Sequence, residues 1–306
     1  MNSADNPIDQ RRGDGEYEVR EVLRVVLYVR VPHLLCNEAI SGAIEDLLQS
    51  PAGAQLRYMA DSSGDWRAYP REEITRRMRA SLVGAAGTIN GTLSLTSDPT
   101  SSAPDFYLEY NGFAIDRPLF RDRAGFMFFW VPSSWVRSSQ ELVISTVSAL
   151  AVHLPISFAS ADLTIVGKSE RAQQLVNRYM GIDVADVSST AIDLGDRVAG
   201  VFWLNVYGPN VAKLVRERYL ASDSLQAAWR ATELPRGRLM LLADSGPQRG
   251  DKNRKEALVD REALAVQLAE GDLLHIPTRS VYFDRTPEDS GEELQMRWHR
   301  RYLDLA

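Results

Sequence analysis

The sequence predicts an α+β fold: a mixed, largely antiparallel sheet packed with helices. Three observations lead there. β-branched and aromatic runs of strand length recur along the chain, and segments with apolar residues at helical spacing lie between them. The two kinds follow no regular strand–helix–strand alternation, which a doubly wound parallel sheet would need. With 306 residues, 44% of them hydrophobic and 25% charged, the chain can bury a large core.

The opening "MNSADNPIDQRRGDGEYE" is polar and lacks the apolar stretch of a signal peptide. Residues 1–16 are therefore expected to form a disordered arm, and 17–306 a single domain. "VLRVVLYVRV" (Val22–Val31) reads as an interior strand needing cover on both faces, stopped by Pro32. A helix follows to about Leu48, with Leu35, Ile40, Ala43, Ile44 and Leu47 on one stripe. "REEITRRMRASL" is a second, charged helix. "TINGTLSLT", "DFYLEY" and "GFMFFWV" read as strands, with "SDPTSSAP" an exposed loop among them. Pro132 and Ser133 open a long helix expected to reach Val152, and Pro155–Asp162 reads as an apolar loop.

"SERAQQLVNRYM" reads as a helix stopped by Gly181. Val198–Tyr207 reads as a second interior strand, and Asn210 as the cap of the helix "VAKLVRERYL". "RLMLLA" is a strand, followed by a helix to about Leu268 with Gly271 as its stop. "LLHIPTRSVYF" looks extended, and Leu294, Trp298, Tyr302 and Leu305 form the stripe of a last helix. Leu163–Gly195 is compatible with a division into lobes 17–165 and 196–306.

Few function classes survive. One cysteine, Cys36, excludes an internal disulfide and a thiolate zinc cluster. The four histidines, His33, His153, His275 and His299, fall in four separate elements, so no His-Glu-x-x-His site exists. There is no Gly-x-Ser-x-Gly elbow. The loop "DSGPQRGDKNRKEALVD" (Asp244–Asp260) looks at first like a phosphate cradle. Its glycines have the wrong spacing, and Lys252 precedes Asn253 rather than a hydroxyl residue. No catalytic residue, metal or cofactor is expected. The net charge of −6 disfavours binding nucleic acid across a broad face and suits a basic protein partner. No apolar stretch is long enough to span a membrane, so a cytoplasmic location is expected.

Two acidic stretches stand out. "GIDVADVSSTAIDLGD" carries Asp183, Asp186, Asp193 and Asp196 without a Lys or Arg. "FDRTPEDSGEE" carries Asp284, Glu288, Asp289, Glu292 and Glu293 against Arg285 alone. Each reads either as a solvated loop with an acidic helix start, or as a surface that resembles nucleic-acid phosphate to a basic partner. Trp130, Trp203 and Trp298 read as core. Trp66 and Trp135 are candidates for interface anchors.

The ordered segments resemble one bacterial family, the type VI secretion immunity proteins associated with VRR-Nuc nuclease toxins. The residues that carry the resemblance are "FMFFWVPSSW", "LAVHLP", "NRYMGIDV", "VAGVFWLNVYG", "GRLMLLADSGPQRGDKNRKEAL" and "LQMRWHRRYLD". The family's Pro-x-x-Gly-Asp-x-Asn loop corresponds here to Pro247, Gly250, Asp251 and Asn253, for which a turn-organising role is expected. Arg261 or a neighbour stands where the family pattern suggests a tyrosine. The resemblance implies an antitoxin without catalysis that binds a cognate toxin, expected to be a nuclease, and covers its substrate groove. The rival readings are an enzyme with an unrecognised site and an adaptor of the secretion system.

Overall fold

The run of β-branched residues after the arm becomes the central strand of one sheet. In the computed structural model, residues 8–11, 13, 15, 17–83, 90–115, 120, 122–167, 175, 178–276 and 291–303 are described, with backbone only at 137, 291, 292 and 294. The first half of the chain supplies strands β1 (Asp9–Arg11) and β2 (Tyr17–Val29), helix α1 (His33–Gln49), strands β3 (Tyr58–Ala60) and β4 (Trp66–Ala68), and helix α2 (Arg71–Leu82). Strands β5 (Gly91–Thr96), β6 (Tyr107–Gly112) and β7 (Gly125–Pro132) follow, then helices α3 (Ser133–Ser138) and α4 (Gln140–His153). The second half supplies β8 (Ile156–Gly167), α5 (Val187–Asp193), β9 (Leu204–Tyr207), α6 (Pro209–Leu220), α7 (Asp223–Ala228), β10 (Trp229–Leu234), β11 (Arg238–Ala243), α8 (Val259–Glu270) and α9 (Gly291–His299).

Among the described residues, eleven strands form one sheet in the order β10-β11-β9-β8-β2-β7-β6-β5-β3-β4, with β1 also pairing β2. Every pairing of these strands is antiparallel. The α+β class is as the sequence predicts. The sheet is continuous across the two segments that the sequence allows as lobes, and Asp9–Arg11, within the expected arm, pairs with β2.

Several elements differ from expectation, each for a physical reason. Ile156–Gly167 is a strand rather than a loop, hydrogen-bonded to β2 along its length and to β9 at its start. Its small residues Ala159, Ser160 and Ala161 hid the strand signal, yet all three are buried between neighbouring strands. Val198–Trp203 is buried except at Gly200, but it is not a strand. The Asn205 side chain accepts from the Phe202 N–H (3.1 Å) and donates to the Phe202 carbonyl (2.8 Å), replacing ladder partners. The helix predicted from Pro132 to Val152 breaks at Ser139, whose φ/ψ of −161°/67° is not helical. Gly208 caps α6 and Pro209 is its first residue, so Asn210 lies inside the helix. Residues 277–283 of the predicted extended segment, most of "SERAQQLVNRYM" and Leu305 lie outside the described residues.

The two sides of the sheet are covered unequally. His33, at the start of α1, meets Tyr110 Oη on β6 at 2.9 Å and the Leu82 carbonyl of α2 at 3.1 Å. Both helices therefore lie on the side of β6 that carries Leu108 and Tyr110. Because side chains alternate along a strand, Tyr107, Glu109 and Asn111 project from the other side. Over β8–β11, that second side is roofed by the segment 179–203 and by α6 and α8, tied down by ion pairs described below.

Candidate functional site

On the side of β6 and β7 away from α1, aromatic residues form a continuous surface. Tyr107 stacks on Trp130 with ring centroids 4.5 Å apart, and Phe128 stacks on Trp130 at 5.9 Å and on Tyr107 at 5.8 Å. Trp66 meets Tyr107 edge-on at 6.4 Å. Trp66, Tyr107, Phe128 and Trp130 are all partly exposed. The register explains the assembly: Tyr107 lies opposite Trp130, and Glu109 opposite Phe128.

Glu109 sits within this surface. Tyr107 Oη donates to one of its carboxylate oxygens and Asn111 Nδ2 to the other, each at 2.8 Å. No Lys or Arg pairs with it among the described residues. Burial pushes its carboxyl above the ordinary value, the two hydrogen bonds act downward, and the charge of Asp186 pushes it further up. Asp186 is exposed and caps α5, accepting from the Ser189 N–H at 2.7 Å and the Ser188 hydroxyl at 2.8 Å. A bond from the Ala124 N–H to the Ala191 carbonyl (2.8 Å) holds α5 beside the start of β7.

The other half of the sheet pairs its carboxylates with cations. Asp162, on β8, is fully buried with Arg261 of α8 at 2.9 Å, and it accepts from the backbone N–H groups of Trp203 and Leu163, each at 2.8 Å. Arg261 Nη1 also donates to the Gly181 carbonyl (3.1 Å) and to Tyr302 Oη (3.3 Å), linking α8 to the turn after α9. Arg24 donates to Asp183 (2.6 Å) and to the Ala185 carbonyl (3.0 Å). Sequence reading registered Arg261 as a departure from a pattern. It did not find the pair, because its partner lies 99 residues away in the segment read as a loop.

The loop between β11 and α8 is tied down in three ways. Asp251 accepts from Arg178 Nη2 at 2.6 Å and from the Asn253 N–H at 3.0 Å. The guanidinium of Arg178 holds the Asp251 carboxyl below its ordinary value. The carbonyls of Arg249 and Gly250 accept from the N–H groups of Gly181 (2.6 Å) and Met180 (3.1 Å), and Arg249 pairs with the fully buried Glu21 of β2. Gly250 has a φ of +63°, and a Cβ at Gly181 would lie 2.0 Å from the Gln248 carbonyl oxygen. Pro247 is partly exposed beside this anchor, and Asn253 contributes its backbone from an exposed position.

The family described as type VI immunity for VRR-NUC (TsiV) matches residues 40–302. The chain belongs to that family. Among solved structures, the chain is similar in fold to the Pseudomonas aeruginosa T6SS protein PA0821, with a TM-score of 0.78 and 13% sequence identity. The match covers 97% of this chain and 87% of that one. No curated protein matches the chain by sequence.

In this immunity-family member the predicted contact residues are scattered. Asp183 is buried against Arg24. Asp193 meets His275 Nε2 at 2.9 Å, and Asp196 is exposed and paired with Arg30 beside a cavity of about 250 Å³. Asp186 alone of the four stands next to the aromatic surface. Trp66 belongs to that surface, whereas Trp135 packs edge-on to Phe106, 5.3 Å away and against the core. Glu293 is exposed at the start of α9. Asp284, Glu288, Asp289 and the side chain of Glu292 lie outside the described residues.

Sequence reading missed Glu109, Tyr107 and Phe128. Alternation in "DFYLEY" was the available signal, since it sets Tyr107 and Glu109 on one face. Among the described residues no group of three or more His, Cys, Asp or Glu is placed to hold a metal ion. No described helix is long and apolar enough to cross a membrane. Cys36 is buried, with its thiol pushed up to about 11 by burial.

Proposed function

We propose that this chain is the antitoxin of one VRR-NUC nuclease. It binds its cognate toxin in the cytoplasm of the producing cell and neutralises it by covering the substrate groove, without turning over a substrate of its own. The observation that carries this reading is the family match over residues 40–302. The physical argument agrees with it. A nuclease approaches DNA with clustered Lys and Arg, and a partner with a net charge of −6 meets that surface with the opposite field. Such complementarity speeds encounter and fixes register, while buried aromatic contacts supply most of the affinity.

The test uses the purified chain and a purified VRR-NUC nuclease, the class of toxin that the family description names. The expected result is a stoichiometric complex and a loss of DNA cleavage in proportion to the chain added, with association slowing as salt rises. Undiminished cleavage with the chain in excess overturns the proposal.

A further inference from the structure

We propose that the aromatic surface around Glu109 is the part of the chain that receives the cognate nuclease, and that its occupant is a segment presenting an arginine side chain. This rests on the proposed function and adds to it a place and a chemistry.

Three features carry the inference. Glu109 is partly buried, yet no cation neutralises it among the described residues. The nearest cation by register is Arg24 on β2, opposite Trp130, and it is committed to Asp183 and the Ala185 carbonyl. A carboxylate in this position carries a desolvation cost that a partner's cation would offset. The hydrogen bonds from Tyr107 and Asn111 fix the carboxylate while using one acceptor site on each oxygen, which leaves both oxygens able to accept from a guanidinium fork.

The rings of Tyr107, Phe128 and Trp130 project from the same side of the sheet as Glu109, stacked on one another. A planar guanidinium stacks on such rings, and a lysine ammonium lacks the matching fork. Asp186, the cap of α5, places a second carboxylate close enough for Glu109 to sense its charge. Partly exposed aromatics beside one charged group are also the composition of an interface centre. The match to the toxin is one of charge: arginines that a nuclease uses to hold phosphate oxygens would be occupied here by carboxylate oxygens.

The test measures the affinity of the same VRR-NUC nuclease for the wild-type chain and for the variants Glu109→Gln, Glu109→Lys and Glu233→Gln, with the melting temperature of each. Glu233 lies on β10 at the far edge of the sheet, paired with Arg216, and serves as a control. The expected result is a Kd raised about thirtyfold or more by both changes at Glu109. Glu233→Gln should leave Kd within about twofold, as for an exposed pair. If Glu109→Lys does not fold, Glu109→Gln decides, because it keeps the shape and can still accept from Tyr107. Wild-type affinity in a folded Glu109→Gln variant overturns this inference and leaves the proposed function standing. A wild-type chain that does not bind the nuclease overturns both.

Discussion

The two halves of the sheet treat their carboxylates in opposite ways. On β8, Asp162 is roofed over and meets Arg261 and two backbone N–H donors. On β6, Glu109 is held by neutral donors, with no cation among the described residues, and lies within partly exposed aromatic rings. The strands are alike in pairing and share one sheet, so the difference comes from what covers them. Charge that is paired and sealed serves the fold, whereas charge fixed in place without a counterion is available to a partner. The comparison can be broken or sharpened by asking what each carboxylate contributes to stability.

The largest effect is expected at the sealed pair. Arg261→Met removes the cation and leaves Asp162 buried with only its backbone donors, a change that should cost about 3–5 kcal/mol. Adding Asp162→Leu should not restore the wild-type value, because the N–H groups of Trp203 and Leu163 would lose their acceptor. Denaturant unfolding of the two variants measures this. A loss below about 1 kcal/mol for Arg261→Met would mean that the roof adapts to an uncompensated charge, and the contrast with Glu109 would fail.

An intermediate effect is expected on acidification. His33, His275 and His299 are buried, and burial holds each below the ordinary histidine value of 6.5, His299 at about 3. Asp193 opposes the shift at His275 without reversing it. A histidine whose folded pKa is depressed takes its proton first in the unfolded chain. The histidine contribution is therefore complete above about pH 6.5 and falls as the pH drops towards the folded values, by about 1.4 kcal/mol per pH unit for each proton, while Asp162, whose carboxyl burial pushes up to about 6, acts in the opposite direction below that pH. Melting temperatures between pH 7 and pH 5 check the sign, and His299→Phe should remove about one proton from the slope. A His299→Phe variant whose pH slope equals that of the wild type would show that this ring gains no proton on unfolding.

How much of this was legible in the sequence follows from the range of the interactions. β2, β7 and β11 are rich in β-branched, aromatic or long aliphatic residues, and local composition announced them. β8 was read as a loop because its small residues carry no periodic signal, and only its neighbours on both sides make it a strand. Asp183 looked like one of four equivalent surface carboxylates, but Arg24, 159 residues away, draws it inside. Trp66, an interface-anchor candidate by its sequence, is partly exposed, yet nothing local showed that Tyr107, Phe128 and Glu109 would join it. Antiparallel register between separate strands creates that surface, and register is a tertiary property.

The smallest effect is the one most specific to the comparison. Glu109 has a carboxyl raised above the ordinary 4.5 by burial and by Asp186, so its ionised form is less favourable in the folded chain than in the unfolded one. That penalty is present above the folded pKa and disappears as the pH falls below 4.5, where both states hold the proton. Glu109→Gln should accordingly raise stability at pH 7, by about 0.5 kcal/mol, and the gain should vanish at pH 4. Asp251→Asn should do the reverse at pH 7, because Arg178 holds that carboxyl below its ordinary value and the pair stabilises the loop. Melting curves of both variants at the two pH values separate the roles. A lower melting temperature for Glu109→Gln at pH 7 would make Glu109 a structural residue like Asp251. A higher one, joined to weaker toxin binding, would mark it as a group kept at a cost to the fold for the sake of its partner.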